Sequence, residues 1–197
     1  MRVVHVTDAH CMTSAVSAIL AREPHDLAVS SGDFECLDTV EAFLEGSAKA
    51  LSTTGNMDNP SVYRRLDEAG ALIDGRIVSF RGLTIGGVGG LDVHGSMEQF
   101  RRTHGAGIEI DVLVSHHPPH GVLDAPLPGV HAGLFEVKRL VDEYRPVIHL
   151  FGHIHESRGS ERVAGTLFVN SGPALSGYYS VIELGSGKPR VLLKRLQ

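Results

Sequence analysis

Cysteine is scarce in this chain of 197 residues, which carries only Cys11 and Cys36. Two cysteines are no disulfide framework for a small secreted scaffold, and a pair of reduced, buried thiols is expected. Both directly follow polar segments singled out below, which puts them near one another. No run approaches the roughly 18 apolar residues of a membrane span. The opening MRVVHVTDAH is interrupted by His5 and Asp8 and lacks the apolar core of a signal peptide. A cytoplasmic protein with no membrane partner is the expectation. Positive charge is not in excess: 18 Lys and Arg stand against 23 Asp and Glu, a formal charge of -5 with neutral histidines. That balance, with no evident basic and aromatic-rich face, argues against nucleic acid as partner and against nuclease activity. Repeats, linkers and low-complexity tracts are also missing, and the length suits one domain over residues 1–197.

What the chain does have is a series of short apolar runs, each ending on a polar loop. Residues 2–7, 27–31 and 49–54 read as buried strands, with helices predicted over 13–22, 37–45 and about 60–69 between and after them. Thr13 or Ser14 is the candidate N-cap of the first helix. The spacing is somewhat tighter than the roughly 30 residues usual for a strand–helix–strand unit. It still brings the loops after these strands to one edge of a sheet, where ligands bind in open α/β folds. Residues 76–80 and 83–87 read as strands around the Arg81–Gly82 turn. The stretch Gly86–Gly87–Val88–Gly89–Gly90 lacks the Lys-Ser/Thr ending of a P-loop and is read as close packing or a bend. Strands follow at 112–115 and 147–151, with a helix at about 133–144. Strands at 166–170, 178–184 and 190–195 suggest antiparallel pairing. Residues 91–108 and 118–132 read as loops.

Metal-ligand residues stand just after the predicted strands. Asp8 and His10 are two apart, as are His153 and His155, so an extended backbone points each pair to one face. Asp33 is a carboxylate in a Gly-preceded turn, Asn56 offers an amide oxygen, and His116 an imidazole. Mixed oxygen and nitrogen donors suit divalent Mn, Fe, Co, Ni or Zn better than Mg or Ca. Seven ligands are too many for one open site and fit two cations sharing a carboxylate. Such a pair clamps a phosphate and supplies hydroxide near neutral pH. Two dications less the charges of Asp8 and Asp33 leave a surplus that favours an anionic phosphate ester.

The ordered segments TDAH at 7–10, GDFE at 32–35, GNMD at 55–58, SHHPP at 115–119 and GHIHES at 152–157 resemble the calcineurin-like metallophosphoesterases. GNMDNP, GVHAG at 129–133 and FGHIHESRG are similar to the branch known as Icc-related phosphoesterases. The resemblance spans about residues 3–184. It implies a four-layer α/β/β/α sandwich and a dinuclear metal-dependent phosphoesterase, with Mn favoured. One metal would be held by Asp8, His10, Asp33 and His155, the other by Asp33, Asn56, His116 and His153, with Asp33 bridging. Asn56 and Asp58 are the catalytic candidates, Asp58 orienting Asn56 or a neighbouring backbone group, although Asp58 equally reads as a simple turn residue. Many relatives carry a proton-donating His after the Gly-Asn pair, where this chain has Met57, and a thioether donates no proton. That departure tilts the expectation toward a small phosphodiester over a monoester. Met57, His117 and His131 are the expected substrate neighbours; His131 reads as a substrate contact or as donor of the missing proton, with a cap of the following helix the favoured alternative. The rival readings are a phosphomonoesterase or nucleotidase, and a catalytically silent protein-binding scaffold of the same fold. The sequence leaves the oligomeric state open.

Overall fold

The computed structural model describes residues 1–104, 108–185 and 187–197. Strands β1 (Arg2–Val6), β2 (Leu27–Ser30) and β3 (Ala50–Ser52) run parallel. They are joined by helices α1 (Thr13–Arg22) and α2 (Leu37–Glu45), and α3 (Pro60–Glu68) follows β3. The late strands β10 (Tyr178–Glu183) and β11 (Arg190–Arg195) extend this sheet antiparallel, giving the order β11-β10-β1-β2-β3. A second sheet contains β4 (Ile77–Phe80), β5 (Leu83–Val88), β6 (Val112–Ser115), β7 (Ile148–Phe151), β8 (Gly159–Val163) and β9 (Thr166–Asn170). Its order is β4-β5-β6-β7-β9-β8, parallel from β5 to β9 and antiparallel at both edges.

Period-two alternation sorts the strand residues into separate cores. Val3, Leu27, Val29 and Leu51 from the first sheet meet Ile85, Val112, Val114, Ile148, Leu150, Leu167 and Val169 from the second. Intervening residues such as Val4, Val6 and Ala28 face α1, α2 and α3 through Val16, Ile19, Val40, Phe43 and Leu66. On the far side, Leu113 and Phe151 pack with Met97 and Phe100 of α4 (Val93–His104) and with Val137 and Leu140 of α5 (Phe135–Tyr144). Three buried interfaces between four layers make the α/β/β/α sandwich.

Several expectations need correction. Residues 93–104 form a helix rather than part of a loop, and β8 had no counterpart in the sequence reading. β9 pairs parallel with β7, and antiparallel only with β8. Neither Thr13 nor Ser14 caps α1: Met12 holds the N-cap position, and the Thr13 hydroxyl instead meets the Thr39 hydroxyl at 2.9 Å. Asn59 does cap α3, its Oδ1 accepting from the Ser61 and Val62 amides ahead of Pro60 at the first turn. Cys11 and Cys36 are not reduced buried thiols. They form a disulfide with Cα atoms 5.1 Å apart, and Cys11 is exposed. The glycine-rich stretch is close packing: a Cβ on Gly86 would meet the Phe100 ring at 2.8 Å, and one on Gly90 the His116 side chain at 2.9 Å.

Candidate metal centre

The loops after β1, β2, β3, β6 and β7 meet at the C-terminal ends of the parallel strands, and all seven expected ligands converge there. Ligand atoms of Asp8, His10 and His155 lie within 4.8 Å of one another, as do those of Asp8, Asp33 and His116. His10 Nε2 is 3.4 Å from His155 Nε2, and His116 Nε2 is 3.1 Å from His153 Nδ1. His116 Nε2 also stands 2.7 Å from Asn56 Oδ1 and 3.5 Å from Asp33 Oδ2. Asp8 is common to the two carboxylate–histidine clusters, and Asp33, which joins it in the His116 cluster, also lies within electrostatic reach of His10 and His153.

These loops are not extended, as the two-residue spacing had suggested. Asp8 (φ 52°), His10 (φ 44°), Cys11 (φ 63°), Asp33 (φ 59°), Glu35 (φ 63°) and His153 (φ 69°) all occupy the left-handed region. Such conformations cost about 1–3 kcal/mol each in a non-glycine residue and persist only where the surroundings enforce them. Asp58 supplies much of that enforcement. It is 4% exposed and takes hydrogen bonds from the amides of Asp33 (3.0 Å), Phe34 (2.8 Å), Glu35 (2.9 Å) and Gly55 (2.8 Å). Both of its oxygens are thus turned into the backbone, locking the β2 and β3 loops together. Gly152 solves a different problem: a Cβ there would strike the Thr7 hydroxyl and the Asp8 carboxylate. The bare backbone lets the His153 amide approach Asp8 Oδ1 and Oδ2 at 3.2 and 3.1 Å.

Hydrogen bonds behind the imidazoles set their tautomers. His116 Nδ1 lies 2.9 Å from the Ser31 carbonyl, which can only accept, so Nδ1 carries the proton. Burial pushes the His116 pKa down, so the ring is neutral and its Nε2 lone pair faces the site. His10 Nδ1 lies 2.7 Å from Glu35 Oε1, an acceptor, so Nδ1 carries a proton and Nε2 is the nitrogen turned toward His155. A lone pair aimed at a neighbouring ring nitrogen about 3 Å away is satisfied by a proton on that nitrogen or by a cation between the two. Ligand bonds of about 2.0–2.1 Å put neighbouring donors roughly 3 Å apart, so the donor set and its spacing fit transition-metal coordination.

The two carboxylates are tuned in opposite directions. Burial would raise Asp8, but hydrogen bonds from His155 and Thr7 and the electrostatic influence of the adjacent His116 and His155 rings bring it down to about 2. Asp33 is pushed up to about 6 by burial, helped by the nearby Asp8 charge and opposed by the Met57 amide, which donates to Oδ1 at 2.8 Å. Asp8 is ionised without help, and the positive charge of a cation would favour the ionised form of Asp33 as well. His117 packs its ring 4.5 Å from that of His153, and burial brings its pKa down to about 3; its buried Nδ1 has no hydrogen-bond partner among the described residues. Met57 is 56% exposed beside Asn56.

His131 is in neither carboxylate–histidine cluster; it stands in the segment between β6 and α5, with Nδ1 2.7 Å from Asp124 Oδ1. It does not cap α5: Leu134 is the N-cap residue, with no side-chain capping bond. Sequence reasoning missed Asp124, and also Asp74, which is buried and pushed up to about 6 by that burial while accepting from the Thr54 amide and hydroxyl. It missed His5 as well, a fully buried ring 2.6 Å from the Ser171 hydroxyl and 3.1 Å from that of Ser31. A histidine within an otherwise apolar strand was the available signal for His5.

Comparison with known proteins agrees with this geometry. A family model described as "Calcineurin-like phosphoesterase superfamily domain" matches residues 1–178. An uncharacterised protein of Methanocaldococcus jannaschii is 24% identical over 195 residues, covering 88% of each chain. Among solved structures, a novel archaeal phosphodiesterase superposes with a TM-score of 0.61 at 17% identity, covering 98% of this chain and 100% of its own. Zinc-complexed Vps29 of Entamoeba histolytica does so at 0.56 and 13%, covering 100% and 98%. At such low identities these two show the fold alone. The family match over most of the chain, and a site whose donors suit divalent metal ions, establish that this protein belongs to the calcineurin-like phosphoesterase superfamily of metal-dependent phosphoester hydrolases.

Proposed function

We propose that the protein is a dinuclear enzyme that hydrolyses small phosphodiesters in preference to monoesters. Asp8, His10, Asp33 and His155 would hold one divalent cation and Asp33, Asn56, His116 and His153 the other, with Mn favoured. The supporting observation is the pair of oriented imidazoles, His10 and His116, each held through Nδ1 from behind and turning Nε2 toward a second histidine nitrogen within 3.4 Å. A protein-binding scaffold with no chemistry has no use for such an arrangement, although the likeness to Vps29 keeps that reading as the rival.

The cations, when bound, supply positive charge for the phosphoryl oxygens and lower the pKa of a water so that hydroxide is available near neutral pH. The chain's own groups do the rest. Asp58 fixes the backbone that presents Asp33 and Asn56, so that the ligand loops need no reorganisation as substrate binds. Glu35 and the Ser31 carbonyl keep the His10 and His116 tautomers in register. His117, partly exposed beside His153, and Met57 on the rim are the proposed substrate neighbours nearest the ligands. Met57 donates no proton, so an ester oxygen that leaves easily is the easier substrate.

The test is hydrolysis by purified protein loaded with Mn or Ni, assayed on aryl phosphodiesters and aryl phosphomonoesters side by side. Turnover of both, faster on the diester, is expected. Stoichiometric metal with no turnover of either ester would favour the scaffold.

A further inference from the structure

The reaction read above lacks a proton donor where Met57 stands. We propose that His131 is that donor, the general acid for the leaving oxygen, and that Asp124 is the positioning residue that holds it. This rests on the phosphoesterase reading and assigns one more side chain to it.

Asp124 is 1% exposed, yet it sits in the connection between β6 and α5. Its Oδ2 accepts from the amides of Gly121 at 2.9 Å and Gly133 at 3.0 Å, and its Oδ1 faces His131 Nδ1 at 2.7 Å. Burial would raise the Asp124 carboxyl, but the His131 and backbone hydrogen bonds outweigh it and keep the group ionised below the usual carboxylate range. An ionised carboxylate only accepts, so the proton of a neutral His131 is on Nδ1. The imidazole is 46% exposed at its side chain, and among the described residues no hydrogen bond occupies Nε2. A buried carboxylate that orients an exposed imidazole and stabilises its protonated form is the arrangement that makes histidine an effective acid. The groups facing His131 are Asp124 and His120, whose ring is 5.3 Å away and stacks on Phe135 at 3.8 Å.

The segment is pinned at both sides to ligand-bearing chain. The Leu134 amide donates to the Pro118 carbonyl at 2.9 Å, and the His120 amide to the Leu134 carbonyl at 3.1 Å, just beyond His116 and His117. Across the site, the Ala125 amide and carbonyl both bond the Ser157 hydroxyl, at 2.8 and 2.9 Å, in the 3₁₀ turn that begins at His155. Residues 121–133 are therefore tied to both histidine segments, and His131 stands on the span between those ties. In the proposed step, water oxygen bonds to phosphorus and gives up one proton to solvent as the bond from phosphorus to the leaving oxygen breaks. The electron pair stays on the leaving oxygen, which takes the Nε2 proton of the His131 imidazolium and departs as an alcohol. Solvent returns a proton to the ring.

A general acid matters most when the leaving oxygen is basic, so the test compares phenyl and 4-nitrophenyl phosphodiesters with Mn-loaded protein. His131→Gln should lower kcat on the phenyl ester by about 100-fold or more, within the usual 10²–10⁴-fold worth of such a group. On the 4-nitrophenyl ester the loss should stay below about 10-fold, with metal content unchanged. Asp124→Asn should shift the same ratio in the same direction. Equal losses on the two esters, or none, would overturn the assignment. Independently of turnover, ring-nitrogen NMR of metal-free protein at alkaline pH should find the His131 proton on Nδ1, and a proton on Nε2 would also overturn it. A wild-type protein that hydrolyses neither ester despite bound metal would sink the phosphoesterase reading itself, and the donor role with it.

Discussion

The two sheets contribute to the metal centre in different currencies. The loops of the first sheet bring Asp8, His10, Asp33 and Asn56, and their backbone is tied by one buried carboxylate, Asp58, that gathers four amides. The loops of the second bring only imidazoles, His116, His153 and His155, packed ring against ring and linked to the first side through Asp8. Negative charge and conformational strain thus concentrate on one side, and burial of neutral histidine on the other. The comparison teaches why the centre needs both: carboxylates alone would repel, and imidazoles alone would leave a cation uncompensated in a dry site.

Removing a ligand from the first side should do most. Asp33→Asn should lose bound metal and turnover together, by more than the roughly 10–100-fold typical of an outer-shell change. Metal analysis and an ester assay on the same sample check it, and unchanged turnover rules out a bridging carboxylate. Next, Asp58→Ala strands buried amides that cannot reach water, at a cost of about 3 kcal/mol of folding stability or more. Chemical denaturation reads that cost; a near-neutral result would mean the β2 and β3 loops hold themselves.

The imidazole side should show itself in acid. His5, His117 and His149 are pushed down to about 3, burial being the largest cause for each. Unfolded, each binds a proton near 6.5, so the native state holds fewer protons and stability is lost as pH falls from about 6.5 toward 3. Asp33 and Asp74, raised to about 6, act the other way, their contribution fading as pH rises from about 4 to 6, and they offset part of the slope. His149→Gln should therefore flatten the stability–pH slope of metal-free protein between pH 6 and 4 by about one proton, roughly 1.4 kcal/mol per pH unit. Denaturation at several pH values measures it, and an unaltered slope would remove His149 from the explanation. Smallest is Glu35→Gln, which keeps the hydrogen-bonding shape toward His10 but removes the charge. Metal affinity should fall by about 10-fold with stability unchanged, as read by competition with a chelating dye.

Legibility differed by kind of feature. Strands buried on both faces, such as residues 27–30 and 112–115, announce themselves as unbroken apolar runs, and the ligands follow them directly. The helix α4 buries little beyond Met97 and Phe100 among charged neighbours, so its period was hidden. β8 is an exposed edge strand, GSERV, with no alternation to read. The convergence of Asp8 with His10 was foreseeable from spacing, but not the left-handed backbone that achieves it, because neither residue type requires positive φ. Asp124 looked like any loop acid, and only its burial under two glycine amides distinguishes it. The disulfide joins the residues that follow His10 and Glu35, two side chains already hydrogen-bonded to one another, a juxtaposition that linear spacing does not reveal.

The central claim reduces to counting cations. Metal-free protein titrated calorimetrically with Mn should take up two ions per chain, and ester hydrolysis should appear only as the sites fill. Uptake of fewer than two ions at saturation, or hydrolysis at full rate in a strong chelator, would contradict a dinuclear centre built from these seven side chains.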